Sequence, residues 1–347
     1  MIKAKGYAAQ SSGSKLEPWE FDRRTIGTRD VLIQILFCGV CHTDLHMVNS
    51  DWGPGTFPMV PGHEIVGRII ETGKEVSKFK IGDHAGVGVM VDSCGTCPDC
   101  QAHQEQFCSV SPVQTYGSKG YDGLTTYGGY SNVIVVDEKF THLISDKLNL
   151  AATAPLLCAG ITTYSPLKKW KVGKGHQLAV VGLGGLGHMA VKFGIALGAE
   201  VTVLSTSETK REDAKALGAH HFVVTTDVEE LATVKSKFDF ILDTVSAKHD
   251  LNLYITLLKT DGVHICVGIP NEPFSLSPFS LPNGNKVVAG SGAGGLSETQ
   301  EMLDFCAAHD IVSEIELIDI KEIHPAFDRM IKGHVRYRFV IDLSTLR

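Results

Sequence analysis

A glycine-rich loop between an apolar run and a helix-like segment constrains the fold of this chain more than any other feature. The loop, residues 182–187, reads Gly-Leu-Gly-Gly-Leu-Gly and follows the strand-like run 177–181. In the pattern G-x-G-x-x-G the first glycine permits a tight turn, the second lets the backbone approach a pyrophosphate, and the third lets helix and strand pack closely. The following helix N-terminus offers free N–H groups to phosphates. The sequence therefore predicts a dinucleotide-binding loop rather than a plain strand–helix turn.

Strand-like and helix-like segments alternate from about residue 151 onward. Apolar segments predicted as strands lie at residues 177–181, 200–204, 222–224, 238–242 and 263–267. Helix-like segments separate them, and the one at 210–217 is followed by Gly218, a residue suited to ending a helix. This alternation predicts a parallel sheet wound with helices, the doubly wound α/β class.

The residues before about 151 have a different pattern. Apolar runs rich in branched residues, such as 31–36 and 65–70, are separated by turns rich in Gly, Pro and Asp. Such runs are typical of short β-strands. A helix at 298–309 and a last strand at 338–341 follow the alternating region. The sequence thus predicts an irregular, loop-rich β domain beside the α/β domain.

The end of the second strand of the α/β domain predicts the coenzyme. An NAD site usually carries an acid there, about 20 residues after the loop, that binds the ribose 2′-hydroxyl. This chain has hydroxyls and cations instead, at Ser205, Thr206, Ser207, Lys210 and Arg211. Hydroxyls and cations suit a 2′-phosphate, so we expect NADP(H), with Glu208 as the contrary detail.

Four cysteines in one short segment predict a metal site. They are spaced Cys94-x2-Cys97-x2-Cys100-x7-Cys108. Four thiolates at this spacing can close a tetrahedron around Zn²⁺ and leave no position open. An iron–sulfur cluster and a reactive dithiol are the alternatives. The hydride-transfer context of the glycine loop favours a structural zinc.

Composition narrows the partners and the compartment. The 347 residues are 43% hydrophobic and carry a net charge of −7, which suits a globular protein and argues against binding to nucleic acid or to an anionic membrane. The N-terminus shows no apolar leader, and the most apolar stretch, 178–186, is shorter than the roughly 20 residues that span a bilayer. We expect a cytoplasmic protein whose clustered cysteines stay reduced and bind metal.

A second set of candidate ligands is dispersed along the chain. Cys41 lies in Gly-Val-Cys-His-Thr-Asp-Leu-His, His63 and Glu64 lie in Pro-Gly-His-Glu, and Cys158 lies in Pro-Leu-Leu-Cys-Ala-Gly. Taken singly, each has an ordinary interpretation as a buried small apolar residue or a satisfied polar one. Their spacing does not show that they meet in space.

Together these motifs resemble those of the zinc-dependent medium-chain alcohol dehydrogenases. Gly62-His63-Glu64, the four-cysteine segment and the glycine loop occur in that family's order. The detail is closest to the cinnamyl-alcohol-dehydrogenase branch, including bacterial aldehyde reductases. The Cys-His-Thr-Asp-Leu-His motif, the Ser-Thr-Ser strand end and Tyr-Arg-Phe-Val-Ile-Asp near residue 340 all resemble that branch.

The resemblance implies a fold and an activity. The fold would be a GroES-like irregular β-barrel catalytic domain, residues 1–150 and 290–347, and a Rossmann-type dinucleotide-binding domain, residues 151–289. The activity would be NADP(H)-dependent reversible hydride transfer between a primary alcohol and its aldehyde, aromatic (cinnamyl-type) or aliphatic. A homodimer through the sheet edge near residues 286–291 is also implied.

The resemblance also implies roles for particular residues. Two zinc ions per chain are expected. The catalytic zinc would be held by Cys41, His63 and Cys158, with Glu64 as a further ligand, and the structural zinc by Cys94, Cys97, Cys100 and Cys108. Thr43 would bond the substrate oxygen and His46 would complete a proton relay. Trp52 and Phe57, near these ligands in sequence, are candidates for the wall of the substrate pocket.

The expected cofactor contacts extend beyond the strand end. Relatives approach the cofactor at positions that correspond to His42, Thr162, Thr244, Gly268 and Ser291. The loop contributes Gly182, Leu183, Gly184, Gly185, Leu186 and Gly187.

Three other interpretations fit parts of the sequence less well. An NAD-dependent zinc polyol or sugar dehydrogenase is disfavoured by the missing strand-end acid. A zinc-ribbon binding module on a degenerate nucleotide fold would use the four-cysteine segment alone, and the second ligand set argues against it. A zinc-free quinone reductase of the same superfamily should lack Cys41 and the four-cysteine segment.

Overall fold

The computed structural model describes residues 1–346, which divide into two units. Unit 1 comprises Met1–Ile161 and the described residues from Gly294 onward, and unit 2 comprises Thr162–Ala293. Both borders lie later than the sequence suggested, which was after residue 150 and before residue 290. The first border moves because the helix Leu150–Thr153 packs on strands of unit 1.

The strands and helices have the following bounds. The strands are β1 (Ile2–Ala9), β2 (Leu16–Arg23), β3 (Asp30–Gly39), β4 (Ile65–Thr72), β5 (His84–Val87), β6 (Met90–Asp92), β7 (Val113–Gln114), β8 (Val133–Asp137), β9 (His142–Leu143), β10 (Gln177–Val181), β11 (Glu200–Ser205), β12 (His221–Val224), β13 (Phe238–Asp243), β14 (Leu258–Cys266), β15 (Val287–Gly290), β16 (Ile315–Asp319) and β17 (Arg338–Asp342). The α-helices are α1 (His42–Asn49), α2 (Pro98–Gln101), α3 (Leu150–Thr153), α4 (Ala159–Lys169), α5 (Gly187–Ala196), α6 (Arg211–Ala216), α7 (Val228–Ala232), α8 (Leu251–Leu257), α9 (Leu296–His309) and α10 (Ile323–Ile331). Short 3-10 turns lie at Glu105–Phe107, Glu138–Phe140, Ala154–Leu157, Glu208–Lys210, Pro278–Ser280, Ile320–Glu322 and Leu343–Thr345.

Unit 2 is built on a six-stranded parallel sheet in the order β12-β11-β10-β13-β14-β15. When the six strands are numbered from 1 to 6 along the chain, they lie in the order 3-2-1-4-5-6. This is the order of a doubly wound dinucleotide-binding sheet, so the predicted fold class of this region is confirmed. The central strand β10 is almost wholly buried because parallel sheets are covered on both faces. The carboxyl ends of the strands share one edge, which is where such sheets bind ligands.

Unit 1 contains a seven-stranded mixed sheet. Its strand order is β16-β17-β3-β4-β5-β9, and β8 also pairs with β3. The pairs are antiparallel except β16–β17. Alternate apolar residues of β3 and β4, such as Ile33, Ile35, Ile65 and Ile69, face one buried core. The hairpin β1–β2 packs its apolar residues into the same core.

The predicted helix at 210–217 is shorter than expected. Its first turn is the 3-10 turn Glu208–Lys210, and α6 proper begins at Arg211. Gly218 follows with φ of +90° and donates its N–H to the Lys215 carbonyl, which confirms it as the residue that ends the helix.

Within residues 1–346 no single helix is both long enough and apolar enough to cross a membrane. One pair, Leu150–Leu157 and Ala159–Lys169, meets the length and composition test jointly, across a 57° bend.

Candidate active site and cofactor loop

The four dispersed candidate ligands meet in unit 1. Cys41 is the residue before α1, His63 and Glu64 immediately precede β4, and Cys158 lies between a 3-10 turn and α4. One ligand atom from each lies within 4.8 Å of the others, and the two sulfur atoms are 4.0 Å apart. Two thiols, an imidazole and a carboxyl group are donors that Zn²⁺ accepts.

Two atoms of this cluster are buried without a partner. His63 Nε2 and Glu64 Oε2 make no hydrogen bond, although His63 is 3% exposed and Glu64 is fully buried. Buried polar atoms are rarely left unsatisfied, because desolvation then goes uncompensated. A cation bound between these atoms would satisfy both, so the residues fit a zinc ion.

Asp44, which was not predicted from the sequence, holds several residues of the cluster in place through hydrogen bonds. Its fully buried carboxylate accepts hydrogen bonds from Cys41 N at 2.9 Å, Gly62 N at 3.1 Å and the Tyr130 hydroxyl at 3.0 Å. It also accepts from His63 Nδ1 at 3.2 Å. Because Nδ1 carries the proton, the lone pair of His63 is left on Nε2, the atom that faces the candidate metal site.

Arg338 is a second residue of the cluster to which the sequence motifs assign no role. Its guanidinium is buried, pairs with Glu64 Oε1 and donates to the Val40 carbonyl at 2.9 Å. Burial raises the pKa of Glu64 to about 8, even though the Arg338 charge acts in the opposite direction. A carboxyl group in this environment ionises more readily when a second cation is bound beside it.

The residues predicted to move a proton lie on α1. Thr43 Oγ1 is 3.5 Å from Cys41 Sγ. His46 Nδ1 lies 2.7 Å from Asp51 Oδ2, and its ring stacks on Trp52 with centroids 4.7 Å apart. Trp52 is 45% exposed, so part of the ring that stacks on His46 is open to solvent. Phe57 is half-buried and packs against the core of unit 1.

The four-cysteine segment also forms a compact cluster in unit 1. One sulfur atom from each of Cys94, Cys97, Cys100 and Cys108 lies within 4.8 Å of the others. The backbone N–H groups of Cys97 and Cys94 point at the sulfur atoms of Cys94 and Cys108, each at 3.4 Å. Backbone N–H donors lower the pKa of Cys97 to about 6. Four closely set thiols, two of which accept backbone N–H groups, fit a closed, four-coordinate zinc site.

The glycine loop has the geometry that dinucleotide binding requires. Gly182 has φ of +86°, which favours glycine, and a Cβ on Gly187 would lie 2.1 Å from the Gly182 carbonyl oxygen. A Cβ on Gly184 would meet nothing within 4 Å, so the middle glycine borders open space. Within the loop Leu183 is buried, Leu186 directly precedes α5, and Gly185 lies between them in sequence. The loop therefore presents bare backbone to a ligand at the start of α5.

The strand-end hydroxyls form a small network after β11. Ser207 N donates to Ser205 Oγ at 3.2 Å, and the Ser207 and Thr209 hydroxyls are 2.8 Å apart. Thr206 is exposed. Lys210 directly precedes α6, whereas Arg211 contacts two carboxylates, as described below.

Several of the other predicted cofactor residues share the carboxyl edge of the sheet. Thr244 follows β13 and donates its hydroxyl to the Val181 carbonyl at 2.7 Å. Gly268 lies just after β14, and a Cβ there would be 2.4 Å from the Val245 carbonyl oxygen. Ser291 follows β15. Thr162 lies in α4, and His42 is the exposed first residue of α1 in unit 1.

A buried carboxylate that contacts two histidines lies at the carboxyl end of β13, and it was not predicted from the sequence. Asp243, the last residue of β13, contacts His249 Nε2 at 2.7 Å and His264 Nε2 at 3.1 Å. The hydrogen bond that His249 donates to Asp243 raises the pKa of His249, and the nearby Asp250 carboxylate acts in the same direction. Burial would raise the pKa of Asp243, but the two imidazoles outweigh it and lower that pKa. Tyr254 also faces both rings.

This pair predicts a pH-dependent contribution to stability. Because the pKa of His249 is raised, its stabilisation is complete below the unfolded-state value of about 6.5 and is lost as the pH rises through the folded value. The Asp243 contribution is present above about pH 4 and is lost on acidification through its lowered pKa. We expect His249→Gln to lower the apparent Tm more at pH 6 than at pH 9, measured against wild type at each pH. An equal loss at both values would contradict the ion pair.

The three buried charged residues that were not predicted are only weakly indicated by the sequence. Arg338 and Asp243 are charged residues at the ends of mostly apolar strands, and Asp44 lies inside the Cys-His-Thr-Asp motif. Charged residues are almost never fully buried unless they are paired. A charge next to a run of apolar strand residues therefore indicated a buried partner, but the identity of that partner depended on the fold.

Two protein families match the chain. Residues 27–146 match the family described as alcohol dehydrogenase GroES-like domain, and residues 185–308 match the family described as zinc-binding dehydrogenase. The first match lies within unit 1, and the second begins in the glycine loop and ends in α9.

Individual proteins are similar over nearly their whole lengths. A probable mannitol dehydrogenase from Fragaria ananassa is 52% identical over 344 residues, 99% of this chain and 96% of the relative. The NADP-dependent alcohol dehydrogenase C 1 of Mycolicibacterium smegmatis is 49% identical over 348 residues, which cover 100% of this chain and 100% of the relative. The structure of cinnamyl alcohol dehydrogenase SbCAD4 from Sorghum bicolor matches with a TM-score of 0.96 at 44% identity, covering 99% of this chain and 98% of that one.

Proposed function

The chain belongs to the zinc-binding alcohol dehydrogenases with a GroES-like domain, and on this premise we propose that it transfers hydride reversibly between NADP(H) and a primary alcohol or its aldehyde. The observation that carries the proposal is the cluster of Cys41, His63, Glu64 and Cys158, with its two unpartnered buried atoms. A zinc ion bound there supplies Lewis-acid polarisation of the substrate oxygen. A second zinc, held by the four-cysteine segment, would be structural.

The chain's own residues handle the proton in this proposal. Thr43 and His46 are three residues apart on α1 and therefore share one helix face. During aldehyde reduction, Thr43 donates a proton to the substrate oxygen and receives one from His46. The His46 side chain is 18% exposed, so it can exchange that proton with water. Alcohol oxidation runs the same transfers in reverse.

The preference for NADP(H) is supported by the residues after β11. The segment from Ser205 to Thr209 offers hydroxyl groups to a 2′-phosphate. The strand has no acid at its carboxyl end, where an NAD site usually has one. The name of the mycobacterial relative also states NADP dependence.

We expect kcat/KM for NADPH to exceed that for NADH by at least about tenfold, roughly 1.4 kcal/mol of differential binding. Initial rates of aldehyde reduction, measured with each coenzyme at the same saturating aldehyde concentration, provide the check. A preference for NADH would overturn the coenzyme assignment.

The proposed substrate class is broader than the substrate in any one relative's name. The relatives are named for cinnamyl alcohol, for mannitol and for alcohols in general. We propose that the substrate is a primary alcohol or the corresponding aldehyde, aromatic or aliphatic, with Trp52 and Phe57 as candidate pocket residues. A panel containing cinnamaldehyde, straight-chain aldehydes and mannitol separates the possibilities. Turnover of mannitol alone would favour a polyol dehydrogenase, the activity named for the relative from Fragaria ananassa.

A homodimer and a cytoplasmic location complete the proposal. The edge strand β15 has one unpaired side that can accept a strand from a second copy, and Val287 within it is 39% exposed. Sedimentation should give the mass of two chains, and the mass of one would contradict the dimer. All nine cysteines in the described residues are free thiols, and zinc-binding thiolates persist in a reducing compartment.

A further inference from the structure

Arg211, at the start of α6, is held by a network of its own. Its Nε and one terminal nitrogen donate to the two carboxylate oxygens of Glu208 at 2.6 and 2.8 Å. The same terminal nitrogen donates to Glu230 at 2.7 Å, and the other donates to the Phe222 carbonyl at 3.2 Å. The guanidinium carbon lies 4.8 Å from the centre of the Phe222 ring.

These contacts leave Arg211 poorly placed to bind a phosphate itself. A guanidinium has five N–H donors, and four hydrogen bonds of Arg211 already go to protein acceptors. One of the two forked edges that could bind a phosphate bidentately is occupied by Glu208, and the two terminal nitrogens that form the other edge donate to the Phe222 carbonyl and to Glu230. Glu230 is itself anchored, because it accepts the Val224 N–H at 2.8 Å. The arginine is therefore fixed between two carboxylates.

Glu208 is the residue that most needs such a partner. It carries the single carboxylate between Ser205 and Arg211, the segment that follows β11. An unpaired carboxylate at this position would repel a coenzyme 2′-phosphate and favour the 2′-hydroxyl of NAD. Paired with Arg211 in two parallel hydrogen bonds, its charge is neutralised where the phosphate would bind.

We propose that Arg211 determines coenzyme specificity by neutralising Glu208, rather than by binding the 2′-phosphate. The inference rests on the proposed NADP(H) dependence and adds the residue pair that maintains it. Arg211 is thus a positioning residue whose effect depends on Glu208. Removing Arg211 exposes a negative charge, and removing both residues leaves the phosphate site without that charge.

A double-mutant cycle on coenzyme fragments tests this mechanism through binding rather than turnover. The probes are 2′,5′-ADP, which carries the 2′-phosphate, and 5′-AMP, which lacks it, both titrated calorimetrically. The variants are Arg211→Gln, Glu208→Gln and the double substitution. Lys215→Gln is the matched control, because it removes one positive charge from an exposed position of the same helix.

We expect Arg211→Gln to weaken 2′,5′-ADP binding about tenfold, and the double variant to recover to within about threefold of wild type. Binding of 5′-AMP should stay unchanged in every variant, which also shows that each remains folded. Lys215→Gln should change 2′,5′-ADP binding less than about twofold. A double variant as weak as Arg211→Gln alone would mean that Arg211 contacts the phosphate, and would overturn the inference while leaving NADP(H) dependence intact. Wild-type protein that binds both fragments equally would instead overturn the proposed coenzyme.

Discussion

Cys158→Ala is expected to abolish turnover while the chain stays folded. The substitution removes one of two sulfur donors from the cluster in which Cys41 Sγ and Cys158 Sγ lie 4.0 Å apart. Loss of a Lewis acid worth several kcal/mol corresponds to a fall in kcat of at least about 10³-fold. Zinc content should fall from two ions per chain to one, because the four-cysteine segment is untouched. Steady-state kinetics and metal analysis on the same preparation provide the measurement.

Cys306→Ala is the matched control for this experiment. Cys306 is also a buried cysteine, but it lies in α9 with its sulfur 3.6 Å from Met302 Sδ, outside both cysteine clusters. Its variant should keep two zinc ions and near wild-type kcat. Wild-type turnover in Cys158→Ala would refute the catalytic assignment. A wild-type chain that binds a single zinc would favour a protein with a structural metal only.

Cys97→Ala is expected to act on stability far more than on chemistry. Residues 94–108 contain only α2 and one 3-10 turn as regular structure, and Phe107 in that turn is 52% exposed. Little apolar burial therefore supports this segment. Structural zinc contributes on the order of 10 kcal/mol in small domains, so losing one of four thiolates should lower the apparent Tm by about 10 °C or more. Thermal unfolding by circular dichroism, with and without a chelator, measures the effect.

The chelator supplies the internal control. Wild-type protein should lose stability when zinc is removed, whereas Cys97→Ala should respond much less, because its structural ion is already absent. Any activity remaining in Cys97→Ala at low temperature should have a nearly wild-type KM, since the catalytic cluster is built from other residues. A variant with unchanged Tm and two bound zinc ions would contradict the structural role.

Much of the fold was predictable because the signals are local. The strand β10 has the bounds that its apolar run predicted, and Gly218 ends the helix after β11 as expected. Such features depend on the conformational preferences of a few neighbouring residues. The first border between the units was predicted less accurately, because the change of pattern at about residue 151 assigned residues 151–157 to the α/β domain. Their packing on strands of unit 1 places them in that unit instead.

What the amino-acid order determined was every feature whose parts lie close along the chain: the glycine loop, the four-cysteine segment and the strand-end hydroxyls. The tertiary structure decided which distant groups meet. It brought Cys158 to Cys41, set Asp44 against His63, paired Arg338 with Glu64, and gave Arg211 to two carboxylates instead of leaving it for phosphate. The physical reason is that a buried charge takes whichever partner the folded backbone places within hydrogen-bond distance. That competition is settled by packing between remote segments, and residue spacing does not encode it.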